Sequence, residues 1–503
     1  LSSAVLLILS FPGFNFEFLA WFVFIPLFFA LKNQSRLRAF IIAYFIGVIF
    51  WSGTIYWLIH VTLLGTILLI LYLALYFGIF GFLVSLVSGH WSLVTISAIW
   101  VLLEYLRSHL LTGFPWALLG YSQYLNLSII QIADITGAWG VSFLVVMVNV
   151  ALYSVMSQEL AVTSRKSGAI TKIKILIIPV IVLLVVLGYG FYKLTTHNSK
   201  LTTGRSIKIA VIQGNIPQEQ KWQLDTKSFI LKKYLVLSHM AAKDRPNLII
   251  WPEAALPVIL EAEPLYYEEV FRFSQETSIP LLMGAVTLRG NAYYNSAVLV
   301  DVDNGLAQRY DKLHLVPFGE YIPLRKVLPF LQTVVPIGDI APGKDYTVFS
   351  AYLTSGIGHS VKSKFSVLIC FEDLFSELSR AFVKRGAYFL VNITNDAWYK
   401  KTFAAYQHFQ ASVFRAVENR VFLVRSANTG VSGFISPRGE IVSLVRDQAG
   451  KEIFVDGYKT QKIEIYKHPL SFYTRFGDWF VLLCMFIVFY GIIIHYINPK
   501  FKA

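Results

Sequence analysis

The stretch SVLICFEDLF, residues 366–375, ends an apolar run in Cys370 and follows it at once with an aromatic and two carboxylates. The chain has one other cysteine, Cys484, inside a C-terminal apolar segment. A solitary thiol at a strand end is either an inert buried residue or a working nucleophile, and its neighbours decide between the two. Two further polar residues stand in comparable places. Glu253 follows the apolar LIIWP, and Lys312 lies in RYDKLHLVPFGEYIP, residues 309–323, with His314 and Glu320 among apolar residues and prolines. A carboxylate that accepts a thiol proton, a thiolate that attacks a carbonyl and an ammonium that stabilises the oxyanion are the parts of a thiol acyl-transfer site. A free thiol has a pKa near 8.5, so a base and a cation beside it both help it react at neutral pH. Each residue also has a plainer reading. Glu253 could cap a helix, Lys312 could be a surface charge, and His314 could form a Cys–His dyad or simply support its loop.

The elements that must position these residues are legible between 207 and 428. IKIAVIQGN (207–215), NLIIWPEA (247–254), IPLLMGAV (279–286), NSAVLVD (295–301), FSVLICFED (365–373), AYFLVNITND (387–396) and VFLVRSAN (421–428) read as strands. Helical stretches are expected at 226–243, 264–276, 375–386 and 403–419. Strands rich in β-branched residues alternating with helices predict a layered α/β domain, whose chemistry sits at strand ends. Glu253, Cys370, Asn392, Asn395 and Asp396 fall in such places.

Outside this region the composition changes. Of 503 residues 55% are hydrophobic and only 15% charged, well below the roughly 25% charged of soluble domains. Eight apolar segments approach the ~20 residues that cross a bilayer, near 2–13, 18–32, 38–58, 62–88, 91–107, 138–157, 173–193 and 478–497. The first could be a signal peptide, or 1–13 and 18–32 could form one hairpin that does not cross. The expected organisation is a membrane module at 1–195 with about seven helices, a catalytic domain at 196–475, and a last span and tail at 476–503. Basic residues collect at 32–38, 164–174 and 498–502. Short cytoplasmic loops are enriched in them, which puts the middle domain on the outer face. The net charge of +14 is partly explained by these anchors, and no nucleic-acid-binding motif is present. The ten histidines are scattered without zinc spacing, and no metal or cofactor is expected. Glu104 and Arg107, in or just beyond the fifth segment, read as a headgroup contact or a helix-end charge pair.

WPEAALP, YDKLHLVPFGEYIP and LICFED, in that order, resemble the glutamate, lysine and cysteine motifs of the nitrilase superfamily, which implies an αββα sandwich. Together with the surrounding spans, VIQGNIPQEQKW (211–222), TGFPWALLGYSQ (112–123) and ITNDAWY (393–399) make nearly the whole chain similar to the apolipoprotein N-acyltransferase family.

The resemblance implies a ping-pong reaction at the outer face of a bacterial cytoplasmic membrane. Cys370 would take an acyl chain as a thioester from a phospholipid, commonly phosphatidylethanolamine, and pass it to the N-terminal cysteine amine of a diacylated apolipoprotein. Glu253 would be the base, and Lys312 with a main-chain amide beside Cys370 would hold the oxyanion. Glu320 and Glu372 match supporting glutamates, and Trp222, Asn395 and Trp398 are candidate substrate contacts. Phe371 stands where some family members carry tyrosine.

Lifting acyl chains into water costs about 0.8 kcal/mol per CH₂, so such a site must open toward lipid. Residues 324–343, apolar and broken by prolines, are expected as an entrance or lid, or else as core beneath a loop. The other function classes are a membrane-tethered amidase, which would pass the acyl group to water, and a lipid-binding or transport protein, which would not need the three chemical groups.

Overall fold

The structure, a computed structural model, describes residues 1–87, 92–159, 165–196, 205–303, 305–317, 319–321, 340–355, 359–465 and 469–497. Most of the apolar segment at 324–343 therefore lies outside the described residues. The chain divides into two compact units, Leu1–His197 with Arg475–Ala503, and Asn198–Thr474.

The first unit is helical. Among the described residues, five of its helices are long and apolar enough to cross a membrane: Arg36–Thr54, Leu63–Val84, Leu93–Thr112, Ala138–Ser157 and Ile175–Thr195. Trp479–Ile497 is a further apolar helix of 19 residues. The two most N-terminal segments hold shorter helices, the first being Ser2–Leu9. Residues 18–32 divide into the 3₁₀ turn Glu17–Trp21 and the helix Ile25–Leu31. Arg36–Thr54 and Leu63–Val84 approach so closely that a Cβ on Gly81 would lie 2.5 Å from the Ala39 carbonyl oxygen, the small-residue contact that membrane helices use.

Glu104 and Arg107 are buried here and fasten the chain that follows their helix. Arg107 Nη1 donates to the carbonyls of Phe114 and Trp116 at 2.7 and 2.8 Å, and Glu104 Oε1 accepts from the Leu119 amide at 2.7 Å.

The second unit carries two six-stranded sheets. In the first, β12 (Gly457–Ile465), β1 (Arg205–Gln213), β2 (Leu248–Ile250), β3 (Leu281–Arg289), β4 (Ala292–Asp301) and β5 (Gly305–Asp311) lie in that order. The second runs β11 (Ile441–Leu444), β10 (Gly433–Ile435), β9 (Phe422–Ala427), β8 (Phe389–Thr394), β7 (His359–Ile369), β6 (Phe349–Ser355). Parallel neighbours β1–β2 and β2–β3 require crossovers, which the helices Lys227–Ala242 and Pro264–Thr277 supply. Helix Lys227–Ala242 buries Ile230, Leu231, Tyr234, Leu237 and Ala241, one face of a 3.6-residue repeat. Each large side chain among them contributes about 1.5–3 kcal/mol on leaving water. Ser426 on β9 donates to Ile212 and Ile250 carbonyls of the first sheet at 3.0 and 3.1 Å. The sheets are thus stacked, and the expected αββα layering is what the chain forms.

Candidate active site

Strand direction explains why two of the three chemical groups, Glu253 and Lys312, meet. β2 and β3 are parallel, β4 runs against β3 and β5 against β4, so β2 and β5 end at the same end of the sheet. Glu253 lies three residues beyond β2, and Lys312 directly follows β5, its amide continuing the ladder onto the Asn295 carbonyl at 2.9 Å. Cys370 directly follows β7 and opens the 3₁₀ turn Cys370–Leu374. Its φ is +54°, a left-handed conformation that side-chain-bearing residues rarely adopt and that clusters at functional sites.

All three groups are buried. Lys312 Nζ lies 2.9 Å from Glu320 Oε2 and 3.5 Å from Glu253 Oε1. The Asn295 amide donates to Glu253 Oε1 and to Glu320 Oε1, both at 2.8 Å, and Glu320 Oε2 accepts from the Val316 amide at 2.8 Å. Glu253, Lys312, Asn295 and Glu320 therefore form one closed hydrogen-bonded cluster.

The electrostatics follow from burial and these neighbours. Burial pushes the Cys370 thiol well up, the Glu253 carboxylate adds to that, and the Lys312 ammonium pulls back. Burial alone would lower Lys312, but Glu320, Glu253 and the thiol outweigh it and hold the ammonium charged. The resting pair is thus a neutral thiol facing a charged lysine. It reacts only if a base takes the proton as attack occurs.

Glu372 supports the site by holding backbone. Its Oε1 accepts from Leu313 and His314 amides at 2.7 and 3.0 Å, and its Oε2 accepts from the Ile369 amide at 2.7 Å. The Tyr310 hydroxyl donates to the same carboxylate at 2.8 Å. One side chain ties the end of β7 to the residues after Lys312. Burial pushes this carboxyl up to about 7, against the pull of the Ile369 and His314 amides and Lys312. The His314 ring packs against Phe375, centroids 3.7 Å apart and planes tilted by 33°, while its amide serves Glu372.

Trp222 and Trp398 are 49% and 46% exposed. Asn395 is buried and bonded within the scaffold, donating to Gln218 Oε1 at 2.8 Å and accepting from Asn428 Nδ2 at 2.9 Å.

Comparison with known proteins identifies the family of the chain. Residues 3–151 match the apolipoprotein N-acyltransferase N-terminal domain, and residues 208–457 match the carbon-nitrogen hydrolase family. A Geobacter metallireducens protein named apolipoprotein N-acyltransferase is 38% identical over 502 residues, covering 96% of this chain and 92% of the relative. The chain belongs to the apolipoprotein N-acyltransferase family. Relatives of the same name from Rickettsia prowazekii and Haemophilus influenzae are 31% and 29% identical, covering 79% and 88% of this chain and 75% and 85% of their own lengths.

In this acyltransferase the sequence motifs account for the ends of the strands and miss what lies under them. Asn295, between two carboxylates, sits at the start of an apolar strand pattern and gives no separate signal. A buried charge cluster lies beneath the Cys370 turn. His408 bridges Asp396 Oδ1 and Asp373 Oδ1 at 2.9 Å each. Arg425 reaches Asp373 Oδ2 at 2.8 Å and Asn392 Oδ1 at 2.7 Å, and Asn392 Nδ2 donates to the Cys370 carbonyl at 3.1 Å. Of its members, Asn392 and Asp396 stand out in the sequence as polar residues at a strand end and Asp373 as a carboxylate after Cys370, while Arg425 shows only as a charge inside the apolar VFLVRSAN.

Proposed function

We propose that the chain transfers a fatty acyl group from a phospholipid, by way of a Cys370 thioester, to the α-amino group of a diacylglyceryl-modified N-terminal cysteine on apolipoproteins. The observation that supports the reading is the Lys312–Glu253 ion pair at strand ends, with Cys370 at the end of β7 under the electrostatic influence of both, in a chain with five helices long and apolar enough to span a bilayer among the described residues.

In the first half-reaction Glu253 takes the thiol proton as sulfur attacks the ester carbonyl of the donor. Lys312 and a main-chain amide of the Cys370 turn stabilise the oxyanion. The tetrahedral adduct collapses to the thioester, and the proton held by Glu253 goes to the departing lysophospholipid hydroxyl. In the second half Glu253 takes a proton from the attacking amine. The amide bond forms, the C–S bond breaks, and the thiol recovers its proton. Phosphatidylethanolamine is the proposed donor. Trp222 and Trp398 offer exposed indoles to the lipid, and Asn395 contributes by tying the segment before Trp222 in place.

The same reading takes the domains as 1–195, 196–475 and 476–503, with the middle domain on the outer face of a bacterial inner membrane. An odd number of crossings separates the basic loop at 32–38 from residue 205, whether the two most N-terminal segments count as a hairpin or as two of about eight spans. Reporter fusions near residues 165 and 200 should then report opposite sides.

Phospholipid alone should release one lysophospholipid per active site and leave a hydroxylamine-sensitive acyl group on Cys370. A diacylated lipopeptide with a free amine should discharge it, and the same peptide with a blocked amine should not. Continuous donor hydrolysis without acceptor would point to an amidase instead.

A further inference from the structure

Lys221 ends the helix Gln218–Lys221, directly before Trp222. A lysine in QEQK reads as solvated, yet Lys221 is 2% exposed, and lysines are almost never fully buried without a partner. Its Nζ donates to the main-chain carbonyl of Glu253 at 3.1 Å. The local backbone explains why that carbonyl is presented. Trp251 and Ala255 both bond to β3, through Leu282 and Gly284 carbonyls at 2.8 and 2.9 Å. Between them Ala254 adopts a φ of +43°, which turns the chain at Glu253.

The segment that delivers Lys221 is fastened to the opposite sheet. Asn428 Oδ1 accepts from the Ile216 amide at 2.9 Å, Asn428 Nδ2 donates to the Ile216 carbonyl at 2.8 Å, and Asn395 holds Gln218. Lys221 is therefore positioned by the sheet that carries Cys370 and acts on Glu253, three residues beyond β2.

The charges at the site make its presence informative. Glu253 and Glu320 are two carboxylates, and Lys312 is one ammonium. Burial lowers Lys221 to about 8, and Glu253 and the Cys370 thiol pull the other way, so it is cationic at neutral pH and interacts with both proton-exchanging groups. Of the other charged or titratable neighbours of the thiol, Asp396 is neutralised by His408 and Arg425. The Tyr399 phenol is held protonated by burial, then by the thiol and nearby carboxylates. Moving the proton from Cys370 to Glu253 leaves the cluster charge unchanged, at zero with Lys221 and at minus one without it.

We propose that Lys221 is the second cation of the acyl-transfer site, a positioning residue that fixes the Glu253 main chain and balances the second carboxylate, so that Cys370 gives up its proton within a neutral cluster. The proposal rests on the reading of Cys370 as nucleophile and Glu253 as its base.

The test uses the full chain in detergent with Cys484→Ala, which leaves Cys370 as the one thiol, and follows iodoacetamide alkylation against pH together with thermal melting. Lys221→Met should alkylate about tenfold more slowly at pH 7, with the midpoint moved up by about one pH unit. Lys221→Arg, which keeps the charge, should restore the parent midpoint. A Lys221→Met profile that overlays the parent overturns the proposal. So does a loss that is equal at every pH, or one that arginine does not repair, since either reduces Lys221 to packing. If alkylation in the parent is indifferent to Glu253→Gln, the triad reading itself fails, and that result is distinct from the others.

Discussion

The Lys312 ammonium lies 2.9 Å from Glu320 and 3.5 Å from Glu253. Glu320 thus takes the larger share of its charge, which leaves Glu253 free to accept a proton. Glu320→Gln removes that share while keeping most of the shape, and Lys312 should then close on Glu253 and make it a weaker base. Single-turnover release of lysophospholipid should fall by about 10²–10³-fold, the cost typical of a displaced oxyanion donor. Near-parental release would mean that Glu320 does not set the lysine's position.

Cys370→Ala and Cys370→Ser should both abolish acyl-enzyme formation and leave the protein folded, because either side chain fits the space without supplying a thiolate. Cys484 is fully buried in the helix Trp479–Ile497, where it packs as a small hydrophobe. Cys484→Ala should keep acyl transfer within about twofold and lower stability by no more than about 1 kcal/mol. Equal loss in both variants would show that the nucleophile has been misassigned.

The buried cluster under the Cys370 turn makes stability depend on pH. Burial alone would lower His408, but Asp373 and Asp396 outweigh it, with Arg425 opposing, and raise the imidazole from its ordinary 6.5 to about 8. A folded value above the unfolded one means that the stabilisation is fully present below pH 6.5 and is lost as pH rises through 8. The shift corresponds to roughly 2 kcal/mol. The melting temperature should fall across that window, and His408→Gln should be less stable but flat there. An unchanged slope in the variant would assign the pH dependence to another group.

What the sequence shows and conceals divides along physical lines. Interior strands β1 to β4 and β7 to β9 each contain a short apolar run and stand out. The strands that escaped notice include all four sheet edges, β5, β6, β11 and β12, whose sequences, such as GLAQRYD and GYKTQKIEI, are polar because one side meets solvent. The short strand β10 escaped with them. Glu253 and Cys370 were legible because each ends an apolar run, and Lys312 because it sits in an unusual Pro-containing loop. Lys221 and Asn295 were not, since their burial comes from segments brought together by the fold and not from neighbours in the chain. Apolar composition also gave no sign of the break inside 18–32, which falls into the 3₁₀ turn Glu17–Trp21 and the helix Ile25–Leu31.

Gly284 offers a test of geometry separate from chemistry. It lies on β3 beside the turn that carries Glu253, and a Cβ there would meet Glu253 Cα, the Pro252 carbonyl oxygen and the Ala254 amide, each at 2.6 Å. All three are backbone atoms, so no flexible side chain can swing aside, and the Glu253 turn must move. Overpacking of this kind costs about 1–3 kcal/mol, which a fold of this size tolerates. A displacement near 1 Å at a reacting group costs about 10²-fold in rate. Gly284→Ala should therefore remain folded with a modestly lower melting temperature. Acyl-enzyme formation should fall about a hundredfold, although Glu253, Lys312 and Cys370 are all still present. Full activity in a folded Gly284→Ala variant would show that the turn yields without moving the carboxylate, and that Glu253 is held by its Asn295 and Lys312 bonds alone.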